Sequence, residues 1–363
     1  MIKDWQTIFI WVPTQSIFRR DNKKNRMNQT KKIIARVIII TAPAACILLS
    51  LCLGRYPVPL SEVTTIFWNK LTFTPCELPD IHQSVVWDIR FPRAVLGALV
   101  GGSLAVSGAA FQGLFKNPLV SSGILGVSSG AGFGAALAIL LFNTALVIYP
   151  LALFFGILAV CLSYMIGRIY KTSPVIMLVL GGVIVSSVFS ALISFAKYVA
   201  DPYEQLPTIV FWLMGSLASA RTSDIAVAAV PMLLGVLGLL AVRWQINVLS
   251  MGDKEARTLG INTRRVRGII IVSATLATAG AVCVSGVIGW IGLVIPHISR
   301  MLAGNDNKIL LPLSVSLGAC FLILVDNLGR VITGSEIPLG ILTALVGGPF
   351  FVYLLKKTKG GGW

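Results

Sequence analysis

Asp326 and Arg330 stand four residues apart inside one apolar stretch, and His297 and Arg300 stand three apart inside another. On a helix, either spacing puts both side chains on one face. An aspartate at the centre of a membrane helix costs roughly 2.5–3.5 kcal/mol on insertion scales, so each such group needs a reason to be there. The chemistry open to these residues is narrow. His82 and His297 are the only histidines, and no two carboxylates share the middle of an apolar stretch. The chain therefore lacks the ligands of a metal centre and the relay of a proton-driven carrier. No catalytic residue is expected, and Asp326 and His297 read as structural groups.

Glycine-rich chemistry is also missing. Gly252-Asp253 and the later glycines lack the lysine and the serine or threonine of a phosphate cradle, so the chain itself should not bind ATP. The glycines crowd into apolar stretches instead, as in Gly97, Gly101, Gly102, Gly108 and Gly113. There they allow close helix packing. Leu249 to Ile261 differs from everything around it, being a polar, helix-sized stretch. Gly252 and Gly260 suit the ends of a short helix whose N-terminus carries Asp253 and Glu255. Such a knob could dock into a partner. An ordinary solvated loop is the simpler reading of its composition.

The elements that must carry these residues follow from hydropathy. Of 363 residues, 56% are hydrophobic and only 12% charged, too apolar for one soluble domain to cover with a polar surface. An all-α, polytopic membrane protein is expected, since a spanning helix needs roughly 20 mostly apolar residues. Ten candidate spans fall at about 33–53, 93–112, 120–142, 145–167, 174–197, 223–243, 266–286, 288–303, 309–329 and 338–355. The eighth is short and contains Pro296, which predicts a broken helix buried in the bundle. Pro207 to Leu217 is too short to span and is expected to lie at the interface or re-enter. The Pro-rich break from Gly54 to Asp88, with Trp68 and Trp87, reads as an external loop ending in an interfacial aromatic.

A formal net charge of +16 would suggest nucleic acid in a soluble protein. Here the cations sit in breaks between apolar segments, which the retention of positive loops in the cytoplasm explains better. They collect before the first span, between the sixth and seventh (Lys254, Arg257, Arg264, Arg265, Arg267) and at the end (Lys356, Lys357, Lys359). Ten spans place all three groups on one side, so both termini are expected in the cytoplasm. The division is then a basic N-terminal extension (1–32), a transmembrane domain (33–355) and a C-terminal tail (356–363). The apolar patch Ile8 to Val12 precedes the basic cluster, the reverse of a signal peptide. The six cysteines are widely spaced, with neither a disulfide framework nor metal-ligand spacing. A faint repeat pairs Val106-Ser107-Gly108 and Pro118 with Val284-Ser285-Gly286 and Pro296, in spans of opposite direction, as an inverted repeat requires.

From Trp87 to Leu355 the sequence resembles the FecCD family of ABC importer permeases. The residues that carry this are Arg90-Phe91-Pro92-Arg93, Leu99-Val100-Gly101, Ser107-Gly108, Gln112, Asn117-Pro118-Leu119, Leu125-Gly126, Trp212 to Leu217, the Gly252 to Gly260 stretch, Gly286 to Arg300, Leu310-Leu311-Pro312 and Glu336 to Gly340. Trp290 stands where the family commonly has phenylalanine, and Asn307-Lys308 where His-Arg often follows the aspartate.

The resemblance implies a ten-span permease of the cell membrane that works with a second copy or homologue, two cytoplasmic ATP-binding subunits and an extracytoplasmic substrate-binding protein. ATP and Mg would belong to those ATPases, so the chain needs no cofactor and is not itself an enzyme. Ser250, Met251, Gly252, Asp253, Lys254, Glu255, Ala256, Arg257, Thr258, Leu259 and Gly260 would couple to the ATPase. Arg90, Arg93 and Arg330 would face carboxylates of the binding protein, and Thr172 and Ser173 are gate candidates. The implied cargo is most often an iron(III)-siderophore, with haem or cobalamin as alternatives. An ion-coupled carrier and a membrane-embedded enzyme are the competing classes, and neither finds its residues here.

Overall fold

The computed structural model describes residues 33–34, 36–54, 56–142, 144–168, 174–332 and 336–357. The gate candidates Thr172 and Ser173, and the basic extension 1–32, lie outside them. Among the described residues the chain is helical with no strand. Ten helices answer to the ten expected spans: α1 (Arg36–Cys52), α4 (Phe91–Phe115), α5 (Val127–Leu141), α6 (Ala145–Gly167), α7 (Pro174–Val199), α9 (Thr222–Ala241), α12 (Thr263–Ser285), α13 (Ile291–Ala303), α14 (Asn307–Ile332) and α15 (Leu339–Lys357). Between them lie α2 (Leu60–Thr72), α3 (Asp80–Ser84), α8 (Gln205–Met214), α10 (Arg243–Met251) and α11 (Asp253–Thr258).

Five spans are long and apolar enough to cross a bilayer unaided: Asp80–Phe115, Leu146–Gly167, Ile176–Val199, Thr263–Ser285 and Asn307–Ile332. A sixth is a pair bent by 54° where α9 gives way to α10. α1, α5, α13 and α15 are shorter apolar helices. The eighth expected span is α13, only 13 residues long, with Pro296 inside it and a mostly buried surface, which agrees with a broken helix held by its neighbours.

α4 is the axis of the bundle, with nearly all its residues buried and α9, α10, α12, α13 and α14 packed around it. Small residues make this possible. A Cβ added at Gly101 would fall on the carbonyl oxygen of Gly318 in α14, and one added at Gly318 would fall on that of Gly101. The two backbones thus touch directly, an approach that only glycine permits in a lipid setting without hydrophobic drive. The first copy of the faint repeat also lies at a close crossing. Ser107 Oγ donates to the Ala274 carbonyl in α12 (3.3 Å), and a side chain at Gly108 would meet the Gly292 backbone of α13.

The stretch from Gly54 to Asp88 is not the loop expected. It forms α2 and α3, then a π-helical turn over Val85–Arg90 that runs straight into α4. Leu51, Val58, Val63, Ile66 and Val86 make a small core of their own. Trp87 packs beside that core: it stacks on Phe91 (centroids 5.2 Å, 12°) and takes Phe67 edge-on at 5.3 Å.

Candidate functional site

Two polar sites occupy opposite ends of α4. Arg93 lies in its first turn, while Leu114, Phe115 and Lys116 at its other end border the polar knob. At 1.5 Å rise per residue, Arg93 and Phe115 are separated by roughly 33 Å along the axis, close to the roughly 30 Å of a hydrocarbon core.

The first site is an ionic clasp. Arg93 Nε donates to both Asp326 oxygens (3.0 and 2.9 Å), and Nη2 donates to Oδ1 of the same carboxylate at 2.8 Å. The other edge of the guanidinium holds Glu336, through Nη1 to Oε1 at 2.8 Å and Nη2 to Oε2 at 2.9 Å. One arginine thereby joins α4, α14 and the segment before α15 with two forked contacts, a geometry that lysine could not reproduce. Asp326 also takes Arg330 Nε at 3.3 Å, so the pair four residues apart forms as the spacing suggests. Arg330 Nη2 donates to Ser50 Oγ in α1 at 3.1 Å and to Asn327 Oδ1.

Arg90 is held differently. Its Nη1 donates to the Leu51 carbonyl at 2.7 Å and its Nη2 to that of Tyr56, capping the end of α1. Burial decides how these groups can act: Arg90, Arg93 and Arg330 are only 4%, 6% and 8% exposed. Carbonyl oxygens serve Arg90, and Asp326 is shared between Arg93 and Arg330. The chief participant that residue spacing left unassigned is Glu336, whose side chain is 35% exposed and forms the clasp's outer rim.

The second site is the knob. Gly252 (φ +150°) and Gly260 (φ +77°) bound α11, as their spacing suggests. Ser250 and Met251 lie outside it, at the end of α10. Arg267 of α12 fixes the knob by donating from Nη2 to both oxygens of Asp253 (2.6 and 2.7 Å). Ala256 is fully buried, in one apolar cluster with Phe115, Leu249 and Val266. It is therefore the knob's anchor, not a contact surface. Lys254, Glu255, Arg257, Thr258 and Leu259 face outward, with Leu259 57% exposed. A cleft of about 280 Å³ beside the knob is lined by Leu114, Phe115, Lys116, Leu249, Asp253 and Arg267. Asn247 ties α10 to the start of α14, donating to Asp306 Oδ1 at 2.7 Å and accepting from the Asn307 amide at 2.8 Å.

Among the described residues, no group of three or more His, Cys, Asp or Glu side chains is placed to hold a metal ion. His82 instead bridges Glu62 of α2 and the Tyr56 hydroxyl at 2.8 Å, pinning the cap together. His297 is buried in α13.

Comparison with known proteins places this arrangement. The chain is 40% identical to the molybdate import system permease protein MolB of Haemophilus influenzae, over 90% of this chain and 95% of that protein. It is also 40% identical to a probable iron chelatin transport system permease of Helicobacter pylori, over 87% and 97%. The cobalamin import system permease BtuC of Halobacterium salinarum is 40% identical over 78% and 76%. The solved structure of a metal-chelate type ABC transporter in an inward-facing conformation superposes with a TM-score of 0.79 at 36% identity, covering 89% of this chain and 99% of that one. The profile of the FecCD transport family matches residues 40–357. The chain is a multi-pass membrane protein that belongs to the FecCD transport family of ABC importer permeases.

Proposed function

We propose that this permease subunit passes a metal chelate, an iron(III)-siderophore first among them, across the cell membrane in step with ATP hydrolysis on two separate cytoplasmic subunits. The observation that carries the reading is the pairing of polar sites at the two ends of α4, one membrane thickness apart. The cation-rich end, with Lys254, Arg257, Arg264 and Arg265 exposed around α11, is the cytoplasmic one on the positive-inside tendency. There α11 is built as a docking knob: Ala256 and the Arg267–Asp253 bridge hold it from within, and Leu259 and Arg257 are offered outward.

At the opposite end the clasp carries three cations against two carboxylates, an excess of one positive charge. A substrate-binding protein with acidic lobes would be steered to it. Because the arginines are buried, that attraction works through the clasp's own excess positive charge, which the partly exposed Glu336 weakens, and not through three free guanidinium groups. A second copy of the chain or a homologue completes the transporter in this reading.

The chelate cargo is supported by the iron chelatin relative and by the metal-chelate transporter that superposes on the chain. Molybdate is the second reading, favoured by the MolB relative, and haem or cobalamin is compatible with the same machinery. Proteoliposomes holding the chain with its ATPase and binding protein separate them. ATP-driven uptake of radiolabelled iron as a siderophore complex is expected, and uptake of molybdate alone would assign the oxyanion instead.

A further inference from the structure

α2 packs on the bundle along one face and leaves another bare. Val63 and Ile66 are buried in one cluster with Leu51 of α1 and Val86, while Leu60, Thr64, Trp68 and Leu71 follow one another at helical spacing and form a second stripe beside them. Trp68 is 66% exposed, Leu71 76% and Phe73, in the turn that ends the helix, 95%. A run of bare rings and aliphatic side chains marks a surface that meets something other than water.

Phe73 makes the case sharper. It is the left-handed cap of α2, at φ +55°, with its amide donating to the Asn69 carbonyl. That position suits glycine, because a side chain there strains the backbone. Phenylalanine stands at it even though its ring lies almost wholly outside the fold, so what gains from the ring lies outside the chain.

The polar groups around the stripe leave it apolar. The exposed Thr64 and Thr65 hydroxyls both donate to the Ser61 carbonyl (2.8 and 2.9 Å), and that of Thr72 donates to the Trp68 carbonyl (2.8 Å). Their donors are thus met within the helix. α2 carries two charges: Glu62 is bound by His82, and the Lys70 ammonium lies 6.0 Å from the centre of the Trp87 ring. Neither falls on the stripe.

The place of α2 in the fold names the occupant. The Leu51 on which it packs belongs to a spanning helix, and Leu48 and Leu49 beside it are about half exposed, as side chains in contact with lipid are. α2 therefore lies where a lipid-facing surface reaches the clasp end, the level at which aromatic side chains settle among headgroups. Trp, Leu and Phe on one side of a helix, with a lysine at its edge, is the composition of a helix lying in that interface. We infer that the stripe from Leu60 to Phe73 is seated in the headgroup region of the leaflet at the clasp end and fixes the α2 cap to the membrane surface.

The test places the full chain in phosphatidylcholine vesicles, with and without bromine on the acyl chains near the headgroups. Subtracting the tryptophan emission of Trp68→Phe from that of the wild type isolates Trp68. This signal is expected to fall about twofold or more in brominated lipid and to resist aqueous iodide. Phe73→Trp in the Trp68→Phe background should report the same from the end of the stripe, where no packed residue is disturbed. Leu71→Ser combined with Phe73→Gly should still elute as a single folded species in detergent and should lose the bromine quenching of Trp68. A Trp68 signal that iodide quenches freely and brominated lipid leaves untouched overturns the seat. Protection that arises only when the binding protein is added, or that follows the density of the chain in the vesicle and not the bromine, gives the stripe to that protein or to a second copy and overturns it as well.

Discussion

The clasp and the knob use charge in opposite ways. At the clasp, Arg93, Asp326 and Arg330 are buried, and the contacts join residues 233 and 243 positions apart in sequence. At the knob, Lys254, Glu255 and Arg257 are exposed, and the one bridge, Asp253 to Arg267, spans 14 positions. Buried, forked ion pairs fix geometry because breaking them strands a charge. Exposed charges fix almost nothing, since water and salt screen them, but they remain available to a partner. One end of the bundle is therefore built to hold helices in register, and the other to present a surface.

The largest effect should come from emptying the clasp. Arg93→Met leaves Asp326 and Glu336 without their shared partner and is expected to destabilise the folded chain by about 3–5 kcal/mol, read as a lowered thermal midpoint in detergent. An unchanged midpoint would reduce the clasp to an incidental contact.

Next in size is a contrast within the knob. Ala256→Asp buries an unpaired carboxylate against Phe115 and Leu249 and should cost at least about 3 kcal/mol. Leu259→Asp, at an exposed position, should change stability by no more than about 0.5 kcal/mol. Comparable losses from the two would mean that α11 does not have the inward and outward faces described.

The contrast between these two residues also marks what was legible in the sequence. The long spans could be read because about twenty apolar residues leave a signal that needs no partner to interpret. The Asp326–Arg330 pair could be read because four residues bring two side chains together on one helix. α11 could be placed by its bounding glycines. Which of its six residues turns inward could not, because in one short turn that choice belongs to the neighbours Phe115, Leu249 and Val266. The forked grip of Arg93 on Asp326 and Glu336 joins three elements far apart in sequence, so no local pattern announces it. Likewise α2 and α3 are short and set off by prolines, α3 buries no residue, and α2 buries Val63 and Ile66 against Leu51 of α1 and Val86 of the π-helical turn, so Gly54 to Asp88 carries no long apolar signal of its own.

A smaller effect is expected at the rim. Glu336→Gln removes one half-exposed carboxylate from the clasp and should cost about 1 kcal/mol or less, after allowance for screening. It adds one net positive charge to that end, so association with an acidic binding protein should quicken at low ionic strength. The gain should vanish near 1 M salt, where the Debye length is about 3 Å. An identical rate at both salt concentrations would sink electrostatic steering at this end.

The central claim is that the chain moves its cargo only in step with ATP hydrolysed by a partner docked on α11. It is tested most directly by chelate uptake into proteoliposomes holding the complete importer, with ion gradients collapsed and with wild-type or Leu259→Asp permease. Uptake is predicted to require hydrolysable ATP, to survive the collapse of the gradients and to fall away in Leu259→Asp while the ATPase still hydrolyses. Uptake that persists without the ATPase and follows an ion gradient would contradict the account.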